Sequence, residues 1–245
     1  MSGPRTPLLK PREYFESKSL SFGRAVVVVA LVTVVTTAGV GGLLWTFTQQ
    51  LDQQVSVDNP EHHPEHMCEQ YEPGGAFDDI DAPPGCDAAV SETVDKRLGD
   101  MVWQEVSWLI PSVLIGAPLV WLFEGFFLYL GGLVVGGEGR FTDTLVVAGW
   151  GMVSKLFRLL VVVALMSYQL SQLSLPDSPA GARDAILGVI SGVSPVAAVA
   201  VFVAIAWGTY IRTYGLARAH DVDVSSAAVA TVGLALAGLF FEPIL

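Results

Sequence analysis

From Ala25 to Phe47 the chain carries no charged side chain. A hydrocarbon core roughly 30 Å thick is crossed by about 20 mostly apolar residues in a helix, so this run is long enough to span a bilayer. It is too long for the apolar core of a signal peptide and shows no cleavage site. Four more apolar stretches follow. Val106 to Val135 is interrupted only by Glu124, and Thr144 to Leu170 contains Lys155 and Arg158. Ala185 to Ile211 and Val224 to Phe241 hold no charge. With 52% apolar residues among 245 and a positive mean hydropathy, the expected fold class is all-α. It is a polytopic membrane protein, a bundle of five transmembrane helices with one acidic extracellular loop.

Lys and Arg resist translocation, so their placement predicts orientation. Arg5, Lys10, Arg12, Lys18 and Arg24 precede the first span. With that end inside, the other inner loops hold Arg140, Arg212 and Arg218, and the outer segments hold Lys96, Arg97 and Arg183. The expectation is a multi-pass protein of the cell membrane, N-terminus cytoplasmic and C-terminus extracellular. Residues 1–24 form a cytoplasmic arm and 25–245 the membrane domain, with the loop 49–100 inserted between spans one and two. The aromatics of Pro11 to Phe15 suit an interfacial anchor.

The net charge is -11, and thirteen of the 24 acidic residues lie between Asp52 and Asp100. An acidic, lysine-poor exterior suits a salt-adapted, halophilic setting, because net charge governs solubility rather than fold. A cation-collecting or partner-binding loop is the alternative. The same sign disfavours nucleic acid. Asp58 to Asp87 is rich in Pro and Gly and predicts irregular structure. From Ala88, the spacing of Val90, Val94, Leu98, Met101 and Val102 predicts a short amphipathic helix.

Cys68 and Cys86 both fall in this loop, in a compartment that permits a disulfide. His62, His63 and His66 crowd against Cys68, but Pro60 and Pro64 disrupt any helix that would align them. No dedicated metal site or cofactor is expected, although extracellular metal sensing would use these histidines.

Within the spans, Pro111 and Pro118 predict kinks. Gly132 with Gly136, and Gly188 with Gly192, are spaced like small-residue contacts that let helices approach, within one chain or between copies. Partners are accordingly the lipid bilayer and either further copies of the chain or other membrane proteins.

Ionisable groups at bilayer depth are costly and are normally paired or functional. If the second and third spans turn around Gly139, residues at equal depth have numbers summing to about 279 by antiparallel geometry. Glu124 is then level with Lys155, and Arg158 lies one turn further, near Trp121. These three form the candidate buried charge cluster. The alternative lays residues 141–157 along the inner surface, which would leave Glu124 needing another partner.

The turn itself reads Gly136-Gly137-Glu138-Gly139-Arg140-Phe141-Thr142-Asp143, followed by Gly149-Trp150-Gly151. Gly136, Gly137 and Gly139 allow positive φ and a tight reversal, and Thr142 or Asp143 could cap the next helix. The string resembles the most recognisable stretch of the Yip family, Ypt/Rab-interacting membrane proteins with five spans and a cytoplasmic N-terminus. Gly136, Gly137, Gly139, Phe141 and Gly149 carry the motif. Pro11 to Phe15 and Gly215 to Ala230 are also similar, pointing to a prokaryotic-type member, with the main resemblance over residues 101–241. Ser154 and Lys155 stand where members often have a proline, and the aspartate-leucine-tyrosine-glycine-proline motif is absent.

No Gly-rich phosphate loop, nucleophile elbow or His-Glu-His zinc helix is present. The expected function is that of a non-enzymatic Yip-type protein, scaffolding or organising membranes by helix packing and inner-loop contacts. The alternative is a small transporter or channel using Glu124 and Lys155 on a polar path.

Overall fold

A computed structural model describes residues 4–83, 85–86, 91–172 and 179–241. The chain forms two compact units, Met1–Leu43 with Trp108–Leu245, and Leu44–Ser107.

In the first unit, α1 (Pro11–Ser17) opens on a proline at its first turn, where the missing N–H costs nothing. After it, α2 (Phe22–Gln50) begins as the charges give way to valines. Helix α5 (Leu109–Val134) places Pro111 in its first turn and Pro118 in its interior. Then α6 (Phe141–Ser171), α7 (Pro179–His220) and α8 (Val224–Phe241) follow. Phe22–Gln50, Leu98–Val134, Phe141–Ser171 and Pro195–His220 are long and apolar enough to cross a membrane, and Val224–Gly238 is apolar but shorter. The chain is an all-α polytopic membrane protein.

The sixth helix is the core. Thr144 to Met152 are all buried, and a helix buried on every side must be apolar all round. One face packs Leu145, Ala148 and Met152 against Val29, Val32, Trp121 and Leu128. The opposite face packs Val146 and Trp150 against Tyr14, Phe15, Ala25 and Ile211. Residues 141–157 therefore belong to one continuous helix, whose segment Thr144–Met152 lies inside the bundle. Side chains on the outer surfaces, such as Val27, Leu31, Ile115, Phe123, Leu160 and Phe202, are exposed, as lipid-facing positions would be.

The two last helices meet through hydroxyls. Thr213 Oγ1 lies 2.7 Å from Thr231 Oγ1, a polar contact that holds helices together where lipid offers no hydrophobic drive. Asp221 turns the chain with φ 53°, and the next helix starts on Asp223. Its carboxylate accepts the Ser225 and Ser226 amides at 2.9 and 3.1 Å. Hydrogen bonds from the Ser225 and Ser226 hydroxyls hold the Asp223 carboxyl well below the usual carboxylate range. A depressed value stabilises the fold fully above the unfolded value near ~3.9 and loses that contribution as pH falls. Asp223→Ala is expected to lower the protection of the Ser225 and Ser226 amides against exchange, measured at one fixed pH. Unchanged protection at both amides would show that the cap contributes nothing.

The second unit is more ordered than its Pro and Gly content predicts. Strand β1 (Gln54–Asp58) pairs antiparallel with β2 (Thr93–Arg97), setting Val57 opposite Val94. Between them lie α3 (Glu65–Cys68) and a 3-10 turn at Glu69–Tyr71. Helix α4 (Leu98–Val106) follows β2 directly. The expected helix from Ala88 is thus a strand before it is a helix, and Val90 lies outside the described residues. Residues four apart share a face in either conformation, so the spacing could not separate the two. A two-stranded ribbon is marginal alone. Here Cys68 and Cys86 are joined as a disulfide, and Asn59 bridges to Ser91 O at 3.0 Å.

Candidate functional site

Three helices of the first unit bring charged groups together, α5 and α6 near mid-length and α7 toward its C-terminal end. Lys155 Nζ lies 3.1 Å from Glu124 Oε2, and Arg212 Nη2 is ion-paired to Glu124 Oε1. The Glu124 and Arg212 side chains are only 14% and 11% exposed, against 47% for Lys155. A carboxylate bonded to two cations at this depth satisfies groups that lipid cannot.

Arg212 was expected in an inner loop. The helix does not stop at Ile211, however. It continues to His220 and carries Arg212 inward. Space for its side chain comes from two glycines on facing helices. A β-carbon at Gly151 would lie 2.5 Å from Arg212 Nε, and one at Gly208 would lie 2.6 Å from Ser154 Oγ and 2.9 Å from Arg212 Nη1. Ser154 returns its hydroxyl to Gly151 O at 2.9 Å. Arg212 Nε is buried with no hydrogen-bond partner.

Arg158 lies three residues beyond Lys155 and makes an interaction of its own. The Trp121 ring, its expected neighbour, stacks on Phe22 at 6.1 Å and donates its indole N–H to Leu145 O at 2.9 Å. Gly149 makes room for that indole, its β-carbon position being 3.3 Å from Trp121 Nε1 and 3.2 Å from Val29.

The glycine turn is built around a residue that the sequence did not single out. Gly136 alone of the turn has positive φ, at 86°. It ends α5 in a Schellman arrangement, with Gly137 N–H bonded to Gly132 O at 2.9 Å and Gly136 N–H to Leu133 O at 3.0 Å. Gly137 and Gly139 serve another purpose. Together with Gly132 they leave room for His220, whose ring atoms or β-carbon would lie 2.5 to 2.7 Å from a β-carbon at these sites. Gly132 thus seats a side chain from α7, and Gly136 caps α5. Gly188 has open space at its β-carbon position, and the surroundings of Gly192 lie outside the described residues.

His220 is 1% exposed. Gly139 N–H donates to His220 Nδ1 at 3.3 Å, and Nε2 lies 2.9 Å from Thr144 Oγ1. An accepting Nδ1 assigns the proton to Nε2, which then donates to Thr144, whose hydroxyl reaches Arg140 O at 3.3 Å. Helix α6 takes Arg140 as its N-cap, with no side-chain cap bond. Thr142 and Asp143 therefore do not cap it, and Asp143 instead faces Arg140 at 3.6 Å. Phe141 packs edge-on to Tyr129 at 5.7 Å, and Tyr129 is equally close to His220.

A family model described as the Yip1 domain matches residues 7–241 of this sequence. The chain belongs to the Yip1 domain family. No curated protein and no solved structure shows significant similarity to it. The match reaches beyond residues 101–241, and the structure gives a reason for including the N-terminal arm. In this Yip1 domain, the aromatic side chains of α1 pack into the bundle. Tyr14 meets Trp150 edge-on at 5.7 Å, Phe15 lies under Gly215, and Trp207 Nε1 donates to Leu8 O at 2.7 Å.

Among the described residues of the Yip1 domain, no group of three or more His, Cys, Asp or Glu side chains converges as a metal site. Cys68 is spent in the disulfide. The functional residues that sequence reasoning passed over are Arg212 and His220. Gly215 is the residue between Ile211 and His220 that weakens a helix most, and no proline interrupts the stretch, so continuing the fourth span through it would have found both.

Proposed function

We propose that this Yip-type protein is a non-enzymatic organiser of the cell membrane, scaffolding other proteins or its own copies by helix packing and inner-loop contacts. The observation that carries this reading is the Glu124, Lys155 and Arg212 cluster. The most costly groups in the bundle bond one another across α5, α6 and α7, which supports a locked frame. The excess of Lys and Arg before the first span supports an arm in the cytoplasm and a C-terminus outside. Two further features point to an exposed exterior module: the acidity of the 49–100 loop suits concentrated salt, and its disulfide suits an oxidising compartment.

The lipid-facing apolar surface is where a partner helix would pack. Crosslinking in native membranes followed by affinity purification is expected to recover dimers, larger assemblies or a defined set of membrane partners. Recovery of solitary monomers alone would overturn the scaffold reading.

One feature favours a second reading, a small transporter or channel with Glu124 and Lys155 on a polar path. Arg212 Nε is buried without a bond, and Lys155 is half-exposed, so the cluster is not fully closed. Ion or proton flux through the wild-type chain in proteoliposomes would support it. Impermeability under every imposed gradient would exclude it.

A further inference from the structure

Beside the start of α2 the first unit contains a cavity of about 510 Å³ whose lining includes Arg5, Lys18, Arg24, Val27, Val28 and Trp150. Three cations and no carboxylate line it. The acidic side chains of the neighbouring α1 are engaged elsewhere, Glu13 with Lys10 and Glu16 with Arg12, each at 2.9 Å. No carboxylate among the described residues pairs with Arg5, Lys18 or Arg24. An independent feature of the same cavity is Trp150. It is only 8% exposed, yet its indole Nε1 is buried with no hydrogen-bond partner. A buried donor without an acceptor is rare and calls for an explanation.

We propose that this cavity binds the phosphate of an anionic phospholipid headgroup. Phosphate oxygens supply the negative charge that three cations lack, and arginine offers a planar fork suited to them. The rest of the lining decides between a lipid and a free anion. Val27 and Val28 form an apolar wall, which a free phosphate would not use. Arg24 is the last charge before the uncharged run of α2, so the cavity lies where polar residues give way to membrane-embedded ones. One turn on from Val27, Leu31 continues the exposed apolar track, at 59% and 60% exposure respectively. An acyl chain leaving the headgroup would lie along these two side chains. The site does not depend on the scaffold reading, because it would hold lipid in a transporter as well.

The test uses the full-length chain, purified in a neutral detergent and titrated with phosphatidylglycerol, phosphatidylcholine or inorganic phosphate. Native mass spectrometry counts the lipids retained. The wild-type chain is expected to retain one phosphatidylglycerol in preference to phosphatidylcholine, and millimolar phosphate should not displace it. Lys18→Gln with Arg24→Gln is expected to weaken that retention about tenfold or more, as the loss of charge-assisted bonds implies. Arg5, Lys10 and Arg12 remain in that variant to preserve the basic arm. Trp150→Phe keeps a ring against Tyr14 but removes the N–H, and should weaken retention by a smaller factor. It also serves if the double variant does not fold. Equal retention of the two lipids by the wild type would overturn the proposal, as would displacement by inorganic phosphate or undiminished retention by Trp150→Phe together with a folded double variant.

Discussion

Glu124→Gln is expected to destabilise the bundle by about 3–5 kcal/mol, the range for breaking a buried ion pair from one side. The loss falls on Arg212, which is 11% exposed and would keep its charge with only a neutral amide opposite. Lys155 is less affected because it is half-exposed and can turn its ammonium toward a polar boundary. Thermal unfolding in a fixed detergent, followed by the loss of monodisperse protein, reads the effect. Removing both sides, Glu124→Leu with Arg212→Leu, should recover much of the stability, since apolar replacement of a whole buried pair is often neutral. If Glu124→Gln unfolds at the wild-type temperature, the cluster does not lock the three helices. The frame argument for a scaffold would then lose its support.

The second large effect is expected at the histidine seat. A β-carbon at Gly132 would meet the His220 ring at 2.5 Å from Cε1 and Nδ1, with no backbone atom among its nearest neighbours. Gly132→Ala should therefore cost about 1–3 kcal/mol by overpacking. His220→Ala alone leaves a hole and strands the Gly139 amide and the Thr144 hydroxyl. In the double variant the new methyl enters the space that the ring vacates, so the two costs should fall short of their sum by roughly 1 kcal/mol or more. Gly233→Ala, with nothing within 4 Å of its β-carbon position, is the control and should stabilise by about 0.5–1 kcal/mol through helix propensity alone. Strict additivity of Gly132→Ala and His220→Ala would mean that the glycines are not there to seat the ring.

These two sites differ in how much of them can be read in advance. The pairing of Glu124 with Lys155 involves adjacent helices joined by a short turn, so antiparallel arithmetic about Gly139 sets their levels. Arg212 is 88 residues from Glu124, a separation that follows from 212 − 124. No local rule links them, and charge counting assigns Arg212 to a loop. The same holds for His220. Glycines at 137 and 139 read as flexible backbone, because a sequence does not say which ring will need the space. In the loop, the β1 and β2 strands are separated by a Pro- and Gly-rich segment, and the four-residue spacing of Val90, Val94 and Leu98 is common to helix and strand.

By itself the sequence determined that this protein lives in a bilayer and folds as apolar helices around a Gly-Gly-x-Gly-x-Phe turn. Long uncharged runs have no other solvent, and helices satisfy their own backbone bonds within the run. Tertiary structure alone decided that α6 is the core, that the arm packs into the bundle, and that Arg212 and His220 complete the charge cluster and the turn. Those outcomes depend on which helix faces meet, and that is set by close packing among residues far apart in the chain.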